Sequence, residues 1–273
     1  MNSSRITRQI GVKSDMEVTE KATKSANDYR AYVGPMDTYD LVAATQFNLL
    51  TSLGLREHHY LLDIGCGSLR AGRLFIPYLQ PEHYCGIEPN SWLIKEGIQN
   101  ECGYDLIALK KPSFDSNYEF QSTMFRRKFD FVLIHSIFTH ATQKQITNCL
   151  SETVRVIKPN TVFAITFIEG SEDYEGDEWV YPNVVAYKMS TMQALMERFD
   201  LCFQPFDWPH PNKHTWLLMS PTKESIPTCP DTASSARMIS ELEYYKRRVE
   251  KLESSLYVKI GIKAKKLIRK LKS

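Results

Sequence analysis

The 273-residue chain is poor in several of the features that mark special classes of protein. Its six cysteines, at 66, 85, 102, 149, 202 and 229, form no C-x-x-C pair and no cysteine–histidine cluster at zinc-ligand spacing. Neither a disulfide framework nor a structural metal site is therefore expected. Reduced thiols are, and with them the cytoplasm. No apolar run approaches the roughly 18 residues that span a bilayer, and the opening MNSSRITRQIGVKSDMEVTEK lacks the apolar core of a secretory signal. Net charge is small as well: 34 Lys and Arg stand against 32 Asp and Glu, for +2. That balance hides a segregation. Lys259, Lys263, Lys265, Lys266, Arg269, Lys270 and Lys272 fall in the last fifteen residues with no acid among them, leaving 27 basic against 32 acidic residues in the rest. A mildly acidic body offers no broad footprint for nucleic acid, so an anionic partner is expected to meet the tail. What is present is ordinary, 42% hydrophobic and 24% charged, the composition of a globular chain with room for one large domain and appendages.

Residues 1–28 are polar with scattered apolar side chains and read as a flexible leader. From Tyr39 to Leu55, the positions Leu41, Val42, Thr45, Leu49 and Leu53 recur at helical spacing, and Gly54 stops the run. Short apolar runs then alternate with helical stretches, which predicts a mostly parallel sheet. The expected strands are Tyr60–Ile64, Tyr84–Glu88, Phe129–His135 and Thr161–Phe167, with Tyr118–Gln121 as a further candidate. The expected helices lie near Arg70–Tyr78, Ser91–Glu101, Thr142–Ile157 (ended by Pro159 and Asn160) and Thr191–Phe199. Leu201–Phe206 and Thr215–Met219 are close enough to form a closing antiparallel hairpin. The Pro/Ser/Thr-rich segment 221–236 reads as a linker that ends the 29–220 domain. Beyond it, Leu242, Tyr245, Val249, Leu252 and Leu256 space out as a short heptad seam, a basis for self-association.

The most informative stretch is Leu61-Leu62-Asp63-Ile64-Gly65-Cys66-Gly67, an apolar strand running through an acid into a G-x-G turn ahead of a helix. Glycines let backbone approach a ligand closely, and a helix N-terminus offers free N–H groups. The same turn also serves as a plain strand-to-helix connection. Ile87-Glu88-Pro89 adds an acid closing the next strand, 21 residues after Gly67, where folds of this kind place a carboxylate on a ribose diol; a helix-capping role is the alternative. Arg70 occupies the third glycine position of a dinucleotide fingerprint, and Asp63 would face pyrophosphate with a charge of the same sign. A carboxylate there suits a ligand carrying an ammonium and a sulfonium.

On these residues the chain resembles class I S-adenosylmethionine-dependent methyltransferases, most closely a bacterial group with a strand ending in DIGCGSLR, over about residues 30–220. The resemblance implies a Rossmann-like, seven-stranded, mostly parallel sheet whose last strand is antiparallel. It also implies S-adenosyl-L-methionine as cofactor, with Asp63, Gly65, Cys66 and Gly67 around its methionine part and Glu88 on its ribose. Where many members place an Asp against the adenine, this chain reads Gln121-Ser122-Thr123, so Ser122 takes that place. His135, packing on the cofactor, and Tyr39, which either lines a lid with Tyr32 or packs the first helix against the sheet, complete the expected set. The run Phe129–His135 and the following Ser136-Ile137-Phe138-Thr139-His140 also look like family features.

Methyl transfer requires alignment and exclusion of water; an alcohol acceptor also needs a base, for which histidine is suited. His140, after the fourth strand, and His210, in the hairpin loop with Lys213 and His214, are the candidates, with helix capping and structural packing as their alternatives. The segment after strand four is not the [DN]-P-P-[YFW] clamp of amino-group methyltransferases, and no acidic pair follows it to hold a divalent metal. O-Methylation of a saccharide or related small-molecule hydroxyl is the leading expectation. A nicotinamide-dependent oxidoreductase and a non-catalytic cofactor-binding partner in glycan assembly are the rivals. The acidic loop from Glu169 to Trp179 contacts a sugar or a cation, or is solvated surface. Ile260, Ala264, Leu267, Ile268 and Leu271 share one helical face opposite most of the lysines, a pattern suited to an anionic membrane surface at the inner face of the membrane or to a protein partner. A short coiled coil followed by such a helix resembles the ends of some polysaccharide biosynthesis proteins.

Overall fold

The computed structural model describes residues 28–228, together with 244, 246–248 and 251. The expected leader, the linker from 229 onward, the heptad seam and the basic amphipathic face lie outside the described residues, apart from those few positions.

Seven strands form one sheet in the order β3-β2-β1-β4-β5-β7-β6: β1 (Leu61–Ile64), β2 (Tyr84–Ile87), β3 (Ser113–Asp115), β4 (Phe129–Ile134), β5 (Ile157–Phe167), β6 (Cys202–Phe206) and β7 (Thr215–Ser220). All neighbours up to β5 pair in parallel, while β7 runs antiparallel between β5 and β6. The sequence expectation of a mostly parallel sheet closed by an antiparallel hairpin holds. Helices α1 (Tyr29–Tyr32), α2 (Tyr39–Ser52), α3 (Gly72–Tyr78), α4 (Ser91–Gly97), α5 (Tyr104–Lys110), α6 (Gln143–Val154) and α7 (Met189–Glu197) flank it.

The two-residue period of the strands divides the core. Leu62, Ile64, Val132, Ile134, Phe163 and Ile165 pack with Ile146, Leu150, Met192 and Met196 of α6 and α7 on one face. Leu61, Phe131, Leu133, Ala164 and Leu218 pack with Leu49, Leu50, Phe75 and Ile76 of α2 and α3 on the other. Central strands buried on both faces read as continuous apolar runs, which is why β1, β4 and β5 are recognisable in the sequence.

Two expected elements need correction. The third strand is Ser113–Asp115, not Tyr118–Gln121; Tyr118 is exposed, and the true strand is three half-buried residues at the sheet edge, too short to leave an apolar run. The helix expected to reach Ile157 ends at Val154, and the strand itself runs through Pro159 and Asn160, both exposed at its start. There the register slips against β4 between Phe129 and Phe131, and a proline at such an irregularity removes no ladder bond from the core.

The chain reverses its winding between β1 and β4, which are neighbours in the sheet. In open α/β sheets the crevice beyond the carboxyl ends of such a pair is where ligands bind.

Candidate active site

Beyond β1, Gly65 (φ +77°) and Gly67 (φ +54°) turn the chain in left-handed conformations. A Cβ on Gly65 would lie 2.1 Å from Ile137 Cδ1, and one on Gly67 2.8 Å from Val33 Cγ1. The turn must therefore be bare. With Asp63, Cys66, Arg70, Ala71, Val33, Gln46 and His135 it encloses a cavity of about 30 Å³ at the switch point.

Asp63 is buried, and its Oδ2 accepts the Tyr84 hydroxyl at 2.6 Å. Burial raises its acid to about 6, against the opposing pull of the Tyr84 bond and the Arg70 charge. Burial likewise holds the Cys66 thiol well above its ordinary value, so Cys66 contributes shape rather than a thiolate. Glu88 accepts from the Gly67 N–H at 3.1 Å through Oε2, and from the Asn90 backbone and side-chain N–H groups at 2.9 Å through Oε1. The second acid is thus tied directly to the glycine turn. Desolvation raises its acid, while those three donors favour the charged form.

A strap from the N-terminal side lies over the turn. Arg70 Nη1 donates to the Val33 carbonyl at 2.6 Å. Tyr29 Oη and Arg30 Nε each donate to Glu101 at 2.7 Å, and Arg73 Nη1 does so at 3.1 Å. As a lid residue Tyr39 would face the cofactor; it is instead 1% exposed beneath the turn, its hydroxyl 3.0 Å from Ser68 Oγ, and it does not line the cavity. The helix it opens must bury its first turn against the turn that follows β1. Ser122 is also fully buried, its hydroxyl donating to the Phe120 carbonyl at 3.0 Å. Asp115 closes the true third strand, and its carbonyl accepts from the Glu88 N–H.

A second group of histidines and aromatic side chains comes from three segments. His140 was expected to begin the next helix; it lies in the turn before it, because Thr142 is the N-cap and forms a capping box with Gln145. His140 Nδ1 meets the Asn183 carbonyl at 2.6 Å, an acceptor only, so Nδ1 carries the proton and Nε2 the lone pair. Backbone bonds from Val180 to His140 and from Val185 to Thr139 pin the loop after β5 to this turn. Rings of Trp179 and Tyr181 stand 5.6 and 5.2 Å from the His140 ring. Tyr181 also packs on Tyr32 at 5.0 Å and donates its hydroxyl to the Tyr32 carbonyl, so the loop and the strap meet; Trp92 flanks Tyr32 at 5.2 Å. Burial lowers the His140 pKa, keeping the ring neutral.

His210 lies at 8% exposure in the β6–β7 loop, its Nε2 2.9 Å from Nε2 of His135 and its Nδ1 accepting from the Asn212 N–H at 3.1 Å. Both of its nitrogens are engaged. His214 stacks on it at 4.2 Å and faces Ser136 Oγ at 3.4 Å. Desolvation takes the lowered pKa of His210 to about 2 and of His214 to about 4.

The structure thus brings Asp63, Gly65, Cys66, Gly67 and His135 around one cavity and joins Glu88 to that turn, while Tyr39 and Ser122 are buried and do not line the cavity. Gln46, Arg70, Tyr181 and Asn183 are additions to the sequence-derived set. Gln46 left a signal, a lone amide between Val42 and Leu49 on the buried face of α2; Asn183, acting through its carbonyl, left none.

Residues 62–163 match the protein family described as a methyltransferase domain. Among solved structures, the chain is similar to magnesium protoporphyrin IX methyltransferase from Synechocystis PCC 6803 with bound SAH, at 12% identity over 76% of this chain and 99% of that one, TM-score 0.55. It is also similar to a DhpI-SAM-HEP complex (14% identity, 78% and 99% covered, TM-score 0.53) and to DesVI of Streptomyces venezuelae (12%, 77% and 100%, TM-score 0.51). No curated protein sequence matches the chain at a significant level. No helix among the described residues is long and apolar enough to cross a membrane.

Proposed function

We propose that the chain is a class I S-adenosylmethionine-dependent methyltransferase, a reading supported by the methyltransferase-domain match over residues 62–163 and by the sheet order, and that it methylates a hydroxyl of a saccharide or a related small molecule, with His140 as the base. The bound donor supplies a methyl group on a positively charged sulfur, open to in-line attack. The residues fit such a group: a buried carboxylate without a basic partner in bonding contact, at Asp63, for an ammonium; a bare turn for close approach; and a second acid, Glu88, beyond β2 for a diol. We assign donor binding to Asp63, Gly65, Cys66, Gly67 and Glu88, with His135 beside them.

The observation that carries the acceptor class is the orientation of His140. Its Nδ1–H is spent on Asn183, which leaves a neutral Nε2 lone pair among aromatic rings at the mouth of the cleft. With the donor bound, His140 Nε2 would take the proton of the acceptor hydroxyl as that oxygen is methylated. Amine acceptors that arrive deprotonated need no such base. Trp179, Tyr181 and Tyr32 offer flat faces of the kind that pack against the C–H side of a sugar ring, and the acids of the neighbouring loop suit its hydroxyls. His210, the other sequence-derived base, has no free lone pair and stands second. The cavity is far smaller than the several hundred Å³ that a nucleoside cofactor fills. Val33 lines that cavity, so seating the donor would displace it. We extend the proposal to the chain's organisation: residues 29–220 as the catalytic unit, with the basic tail serving attachment to an anionic surface or self-association.

Incubating the protein with methyl-labelled donor and a panel of glycans, amines and carboxylates tests this. Label on a hydroxyl oxygen that disappears in His140→Gln supports it; label only on nitrogen or a carboxylate contradicts it.

A further inference from the structure

His135 and His210 meet Nε2 to Nε2 at 2.9 Å. Two neutral imidazoles joined in this way carry one proton between them at the junction and offer outward one lone pair and one N–H. Donors nevertheless stand at both outer ends. The Asn212 backbone N–H points at His210 Nδ1 from 3.1 Å, and Arg70 Nη2 faces His135 Nδ1 from 3.3 Å. Neither a backbone amide nor a guanidinium can accept. One end must therefore be short of an acceptor, and the Asn212 end, closer and fixed in a tight turn, takes the lone pair. In that arrangement His210 would hold its proton on Nε2 and give it to His135, and His135 would hold its own on Nδ1, beside Arg70.

Two further donors there are unspent. Arg70 Nε and Gln46 Nε2 are buried with no hydrogen-bond partner. Gln46, Arg70 and His135 line the same cavity, with Asp63 as the acid on its wall. Buried donors without acceptors are costly, and a group of them on one cavity calls for an anion. Burial draws the Arg70 guanidinium down to about 10, which still leaves it charged at neutral pH.

We propose that His210 is a positioning residue for the methyl donor: by accepting from Asn212 it fixes the His135 proton on Nδ1, and His135, Arg70 and Gln46 together seat a carboxylate, the one at the amino-acid end of the cofactor. This rests on the methyltransferase reading. Asp63 then takes the ammonium, and the two charges of the amino acid are held on opposite walls. Arg70 also grips the Val33 carbonyl, so the same side chain serves both seat and strap.

Calorimetric titration with two nucleosides tests it: S-adenosylhomocysteine, and S-adenosyl-3-thiopropylamine, which keeps the ammonium and lacks the carboxylate. In His210→Phe, which retains a ring for stacking, affinity for S-adenosylhomocysteine should fall about tenfold, the scale of a hydrogen bond to a charged group, while affinity for the amine stays unchanged. Gln46→Met should show the same selectivity. Nitrogen NMR of the unliganded protein should find the His135 proton on Nδ1, moving to Nε2 in His210→Phe once Arg70 is free to donate. Equal losses for both nucleosides, no loss for either, or an Nε2 proton on His135 in the unaltered chain would overturn the proposal. Failure of the unaltered chain to bind either nucleoside overturns the methyltransferase reading along with it.

Discussion

On the proposed donor side of the cleft, Asp63, Gly65, Cys66, Gly67 and Arg70 lie within one short stretch of chain, and Glu88 closes the adjacent strand. On the proposed acceptor side, Tyr32 and Tyr181 touch across 149 residues, and His140 reaches Asn183 across 43. The donor side is also the more deeply fixed. Asp63 is 3% exposed and accepts the hydroxyl of Tyr84 on the adjacent strand, and Glu88 is 6% exposed and accepts from the backbone of the glycine turn. The acceptor wall hangs on loops. A reaction with one constant reactant and one variable reactant suits this division, because loops can change without disturbing the turn that follows β1.

The sharpest separation of the two sides should come from His140→Gln. Its turnover should fall about 100-fold, the usual contribution of a positioned base, with S-adenosylhomocysteine affinity unchanged by calorimetry. Since burial keeps the His140 pKa below the ordinary histidine value, turnover at saturating donor should stay level through neutral pH and drop only in acid. The reciprocal variant, Asp63→Asn, should weaken S-adenosylhomocysteine about 10- to 100-fold, in line with hydrogen bonds to charged groups, and leave turnover at saturating donor much less altered. If either variant damages both quantities equally, the two sides are one unit and the comparison breaks.

Asp63 adds a pH signature. Its acid stands at about 6 without ligand, and an ammonium beside it would favour the ionised form and lower that value in the complex. Donor affinity should therefore be full above pH 6 and decline as pH falls through it, by at most about tenfold per unit for a single proton. Affinity that rises toward acid pH would count against the assignment.

Smaller effects probe the scaffold. Gly65→Ala places a Cβ on a residue at φ +77° and against Ile137. It should cost about 1–2 kcal/mol of stability, the penalty of left-handed backbone for an L-residue, read from urea denaturation. Glu101→Gln loosens only the strap, whose Tyr29, Arg30 and Arg73 contacts converge on that carboxylate. It should change S-adenosylhomocysteine affinity by less than about threefold, since Glu101 does not line the cavity and the Arg30 end of its pair is open to solvent screening.

The same contrast explains what could be read from sequence. The strand, the acid and the G-x-G turn are contiguous, and central strands buried on both faces announce themselves as apolar runs. The sheet, its closing hairpin and five of the donor-side residues follow from local pattern. The three-residue edge strand Ser113–Asp115 did not, because it buries too little to need an apolar run. Tyr39 read equally as a lid residue or as packing of the first helix, and the fold turns it inward, its hydroxyl against Ser68. Gln46 was hidden inside an apolar stripe, and the Arg70–His135–His210–Asn212 chain joins residues from four places whose hydrogen-bond mismatch exists only once they meet. Pairings of that kind have no period and no motif.

The central claim is that the turn after β1 and Asp63 hold a sulfonium nucleoside. Calorimetric titration of the full chain with S-adenosylhomocysteine at neutral pH tests it most directly: one saturable site per chain, weakened in Asp63→Asn, is the predicted result, and a folded protein that gives no binding heat and no protection against thermal unfolding would contradict it.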